Sequence, residues 1–207
     1  MRKTLLLVTG LIAAGFAFHF ASCNNAAEEK KTPDESATKT MSKEDMVKRG
    51  DYIVTTGACG DCHSPKIMTP MGPVPDSSKL LSGSPANASF PPINEKSLQP
   101  GNWMSMAPDI TAFVGPWGVS YTANLTPDSA TGIGAWSETT FINTLRSGKH
   151  LGNGRDILPP MPWQFLSKMT DDDLKAVYAY LQSLPPINNK VPPPLSPAEA
   201  QKRAAGK

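Results

Sequence analysis

Apolar residues recur at helical spacing in three stretches of the chain and alternate in one. Ser42 is suited to cap a first helix running to about Thr55, with Glu44 and Asp45 in its first turn and Val47, Ile53 and Val54 facing inward. A second helix is predicted from Ser137, with Phe141, Ile142 and Leu145 on one face and an end near Gly148. A third has Thr170 as cap and Asp171, Asp172 and Asp173 against the positive end of its dipole. Leu174, Val177, Tyr178 and Leu181 form its apolar stripe, and Pro185 stops it.

Between Pro65 and Pro127, prolines and glycines recur too often for long helices. The alternating pattern lies here. Ile110, Ala112 and Val114 alternate, Gly115-Pro116-Trp117-Gly118 turns the chain, and Val119, Tyr121 and Ala123 alternate again, which predicts a β-hairpin. So long an irregular stretch inside a domain is expected to pack onto a large apolar surface. No internal repeat is present.

The chain ends read differently. Arg2 and Lys3 followed by a mostly apolar run from Leu5 to Phe20 resemble a secretory signal; with Gly10, Gly15 and His19 inside it, the run falls short of a span of ~20 apolar residues. Phe20-Ala21-Ser22-Cys23 resembles a bacterial lipoprotein signal, so residues 1–22 are expected to be removed and Cys23 acylated. Residues 23–41 lack aromatics and mix charges with small polar groups, the composition of a flexible tether. Residues 42–187 form the expected folded domain, and 188–207 a Pro-rich, basic tail. The 20 basic and 18 acidic side chains give +2; loss of Arg2 and Lys3 with the signal leaves 18 of each. Nothing in that balance argues for a nucleic-acid partner.

Cys59-Gly60-Asp61-Cys62-His63 is the attachment pattern of c-type haem. On one helical turn the first, fourth and fifth positions share a face, so two thiols and an imidazole meet one porphyrin from the same side. A thioredoxin-type redox pair expects a βαβ setting that is missing, and a zinc site needs four ligands. After export only Cys59, Cys62, His63 and His150 could supply sulfur or imidazole to zinc, Cys23 being spent on lipid. Methionine sulfur or His150 remains for the iron's sixth position. Met161 lies in Leu158-Pro159-Pro160-Met161-Pro162-Trp163, where prolines fix the backbone on both sides of the sulfur. Met104, Met106 and His150 are its competitors, and Met169, just before the third cap, is expected in the core.

Asn124-Leu125-Thr126-Pro127-Asp128, Thr131-Gly132-Ile133-Gly134-Ala135-Trp136-Ser137 and Leu145-Arg146-Ser147-Gly148 resemble the haem domains of cytochrome c subunits of membrane-bound alcohol and sugar-acid dehydrogenases. Pro160-Met161-Pro162-Trp163 and the segment from Met169 to Leu181 continue the likeness, which leaves residues 82–121 largely unmatched. The resemblance implies an all-α, cytochrome c-like fold of three main helices around one covalent haem c, with His63 and Met161 as axial ligands and Gly50 at a close crossing of the first and last helices near Tyr178 or Tyr180. Those subunits usually carry several haem domains; this chain has one attachment motif.

The expected function is electron transfer by a periplasm-facing, membrane-anchored lipoprotein, a carrier rather than an enzyme, whose partners are redox proteins and, through its lipid, the membrane. The alternative is a haem enzyme of peroxidase type or a gas sensor with an open or displaceable sixth ligand.

Overall fold

A computed structural model of the chain describes residues 41–206. The expected signal segment, Cys23 and the tether up to residue 40 lie outside the described residues.

Helix α1, Lys43–Thr56, begins where Ser42 Oγ accepts the Asp45 N–H at 3.1 Å. The short helix α2, Cys59–His63, follows almost at once. Helix α3, Glu138–Ser147, is capped by Ser137, whose Oγ accepts the Thr140 N–H, and closes at Gly148. The one-turn α4, Trp163–Leu166, leads to α5, Asp171–Ser183, which has Thr170 Oγ1 as cap and three aspartates in its first turn. Helices α1 and α5 cross at Gly50. A Cβ there would overlap the Ala176 carbonyl and come within 2.6 Å of Tyr180 Cβ, so any side chain would force the helices apart. The Tyr180 end of the expectation holds, whereas Tyr178 turns to α3, packing on Phe141 and donating its hydroxyl to the Trp136 carbonyl at 2.7 Å. Val54, Leu81, Ile133, Phe141, Leu145, Leu174, Val177 and Leu181 form the core between these helices.

The middle of the chain carries two small antiparallel sheets. Strands β1, Lys66–Thr69, and β2, Gly72–Pro75, pair as a hairpin. Strands β3, Ser105–Met106, β4, Ala112–Gly115, and β5, Gly118–Tyr121, form a sheet in that order. Gly115 pairs with Gly118, so Pro116 and Trp117 make the turn of the expected hairpin. The domain is therefore helical with added sheet, rather than all-α.

The segment read as a Pro-rich, basic tail carries the most unexpected structure. Leu195 pairs with Val119 on the free edge of β5, and Pro197–Ala204 forms α6. Ser196 and Glu199 make a reciprocal capping box, and Pro197 occupies the first turn, where no backbone donor is needed. Ala200, Leu98 and Val119 close a second, smaller core beneath the sheet. Asparagines stitch the two regions. Asn189 Nδ2 donates to the Ser82 and Ser84 carbonyls at 2.7 and 2.9 Å, and Asn124 Nδ2 donates to the Ile187 carbonyl at 2.8 Å. No described helix is long and apolar enough to cross a membrane.

Candidate functional site

Helix α2 holds Cys59, Cys62 and His63 on a single turn. Ala58, in the left-handed region at φ 54°, swings the chain out of α1 and starts this turn. Lys66 closes it, its ammonium donating to the carbonyls of Asp61 and Ser64 at 2.7 and 2.6 Å. Those oxygens would otherwise lack partners at the helix end. Both cysteines are free thiols; burial raises their pKa above the ordinary value.

His63 is buried. Its Nδ1 lies 2.8 Å from the Ala123 carbonyl oxygen, which can only accept, so Nδ1 carries the proton and the neutral ring presents a bare Nε2. Burial lowers the imidazole pKa, and the bond to Ala123 partly opposes that shift. Thr122 Oγ1 is the sole buried side-chain polar atom without a partner among the described residues. Nε2 makes no hydrogen bond among the described residues. Two unpaired thiols and a neutral imidazole with a bare nitrogen on one turn are a donor set that fits covalent haem.

Met161 lies near His63. Half-buried, it packs on the helical core that also receives Cys59. Its loop is fastened at several points: the Met161 N–H donates to the Leu158 carbonyl, the Trp163 N–H donates to the Met161 carbonyl, and Ser120 Oγ donates to the Pro159 carbonyl at 2.6 Å. The surroundings of the competitors differ. Met104 and Met106 are each 63% exposed beside or on β3, the edge of the sheet. The His150 ring stands edge-on to Trp136 with centroids 5.4 Å apart. Met169 packs on the core, as expected.

Comparison with known proteins places this geometry. Over 147 residues, 71% of the chain, it is 30% identical to a subunit of nicotinate dehydrogenase from Pseudomonas putida, of which it covers 9%. It is 29% identical over 157 residues to the gluconate 2-dehydrogenase cytochrome c subunit of Pantoea cypripedii, covering 73% of this chain and 27% of the relative. The cytochrome c subunit of alcohol dehydrogenase (quinone) from Gluconobacter oxydans matches at 27% over 152 residues, 72% of this chain and 24% of the relative. The chain carries a c-type cytochrome domain, distantly related to the cytochrome c subunits of membrane-bound dehydrogenases. No family model matches it.

The cytochrome domain spans about a quarter, or less, of the relatives it matches. Relationship to cytochrome c subunits implies electron transfer, and the Cys59-Cys62-His63 motif within it suggests covalent haem c. The sequence offered no sign of the groups behind His63. The Ala123 carbonyl is a backbone atom, and Lys66 and Ser64 act on backbone atoms of α2 and Leu81.

Proposed function

We propose that this cytochrome domain carries one electron on a single haem c, bonded through Cys59 and Cys62 and held axially by His63 and Met161. The observation that carries the reading is the pairing of a buried imidazole, proton fixed on Nδ1 and Nε2 bare, with a nearby methionine packed on the same core as Cys59. A haem bound there supplies a one-electron ferric/ferrous couple. His63 and Met161 would supply the remaining ligands of a haem held there, which would leave no position for a substrate. Neutral thioether sulfur favours the ferrous state relative to a second imidazole. The fastened loop from Leu158 to Trp163 keeps the sulfur in place and limits water at the site.

The relatives are named as subunits of dehydrogenases, and redox proteins are the partners of this chain in the same reading. Residues 1–22 act as an export signal, acylated Cys23 anchors the chain to a membrane, and residues 23–41 form the tether of a periplasm-facing domain. The tether raises the effective concentration of the domain near membrane-bound partners.

The optical spectrum of the purified chain tests this. The oxidised protein is expected to show the methionine–iron charge-transfer band, and Met161→Ala is expected to abolish it while the haem stays attached. Persistence of the band in that variant, or rapid carbon monoxide binding by the untouched ferrous protein, would contradict the assignment; the latter result favours an enzyme or gas sensor.

A further inference from the structure

We propose that the sheet-bearing insertion, residues 81–124, positions both axial ligands, with Gly83 setting His63 and Ser120 setting the Met161 loop. The proposal rests on His63 and Met161 being those ligands.

The insertion leaves and rejoins the helical core at His63. On the way out, the Leu81 N–H donates to Ser64 Oγ at 2.9 Å and the Gly83 N–H donates to the His63 carbonyl at 2.7 Å. On the way back, the Ala123 carbonyl accepts the His63 Nδ1–H, and the Leu125 N–H returns to the Leu81 carbonyl at 2.8 Å. The Ser84 N–H donates to the Thr122 carbonyl at 2.9 Å, tying the two strands of chain together. Gly83 lies at the crossing. Its φ is +79°, and a Cβ there would come within 2.6 Å of the Ala123 carbonyl carbon and 2.7 Å of its oxygen. Only glycine fits both the backbone and the space, so its lack of a side chain lets the Ala123 oxygen reach the imidazole.

The other contact comes from β5. Buried Ser120 donates to the Pro159 carbonyl at 2.6 Å and accepts the Trp117 indole N–H at 3.3 Å. Pro159 stands two residues before Met161. A single hydroxyl thus ties the hairpin to the loop that carries the sulfur. One insertion grips the bases of both ligands.

The two grips have opposite electronic consequences. Donation from Nδ1 to a carbonyl makes the imidazole a stronger electron donor, which favours ferric iron. Pushing Ala123 away weakens that donation and should raise the reduction potential. Loosening the Met161 loop should instead make the sulfur easier to displace and lower the potential.

The test uses the full-length holoprotein, Gly83→Ala and Ser120→Ala, each checked by mass for covalent haem. Gly83→Ala is expected to raise the potential by about 59 mV, a tenfold change in the ferric-to-ferrous stability ratio. Ser120→Ala is expected to lower the potential and to speed cyanide binding to the ferric form about tenfold. Should Gly83→Ala fail to fold, hydrogen exchange of the His63 Nδ1–H in the unaltered protein decides that half, slow exchange being the expected result. Potentials and cyanide rates unchanged in both variants, or exchange as fast as for an exposed imidazole, would overturn the proposal. Absence of haem or of the methionine band in the unaltered protein would instead overturn the assignment of ligands.

Discussion

Phe141, Leu145, Leu174, Val177 and Leu181 reach the helical core from α3 and α5, while Leu98, Val119 and Ala200 meet beneath the sheet from a 3-10 turn, a strand and the last helix. Six of the eight buried residues of the first cluster recur along helices, and Leu81 and Ile133 join them from loops. The second contains three buried residues and depends on backbone pairing at Leu195 and on the cap of α6. Cys59 and Met161 pack on the first. The sheet and the chain just after it reach the site by hydrogen bonds, Ala123 accepting from His63 and Ser120 donating to Pro159. Side-chain packing therefore builds the site, and hydrogen bonds from the second region adjust it.

Substitutions can break that contrast. Leu174 is fully buried between the helices, and Leu174→Ala should cost about 4 kcal/mol, near the upper end for such truncations. Denaturant titration followed by absorbance is expected to show loss of stability and of the methionine band together. Leu98→Ala removes a side chain of similar burial from the smaller cluster, where collapse is easier, and should cost about 2 kcal/mol. The same titration is expected to find that band intact in the folded variant. Equal damage to the band by both substitutions would erase the distinction between the regions.

Ser196→Ala sharpens it further. Loss of the capping box should cost about 1 kcal/mol, lowering hydrogen-exchange protection in α6 while leaving α5 unchanged. The smallest effect belongs to the seam between the regions. Asp128 accepts from the Thr131 hydroxyl and backbone N–H at 2.6 and 2.7 Å, and chiefly that hydroxyl bond holds its pKa below the ordinary carboxylate value. A depressed folded pKa means stability that is present above the unfolded pKa and lost as pH falls through the folded one. Asp128→Asn is therefore expected to flatten the acid limb of a stability–pH curve, measured by thermal melting below pH 4, and to change little near neutrality.

Much of the first region was legible because its signals are periodic. Ser42, Ser137 and Thr170 each cap the helix that the apolar spacing predicts, and Gly50 sits where two helices touch. The Gly115–Gly118 turn was readable for similar reasons, since apolar residues recur at every second position on both sides of it. Helix α6 was hidden by the prolines before it, although Ser196-Pro197-Ala198-Glu199 carries the capping signal. Hairpin β1–β2 was hidden by its composition. Met68 and Met71 are exposed, so no buried stripe marks the strand or turn. At the site, the motif and the loop methionine are side-chain signals. Their supports from Ala123, Gly83 and Pro159 are backbone atoms, whose placement depends on the tertiary fold rather than on residue type.

Intact mass of the purified mature chain, read before and after acidic organic extraction, tests covalent haem attachment at Cys59 and Cys62 most directly. The expected result is the polypeptide plus one haem, unchanged by extraction and absent from the double variant Cys59→Ser, Cys62→Ser. A colourless chain at the bare polypeptide mass, or a porphyrin that washes away, would contradict it.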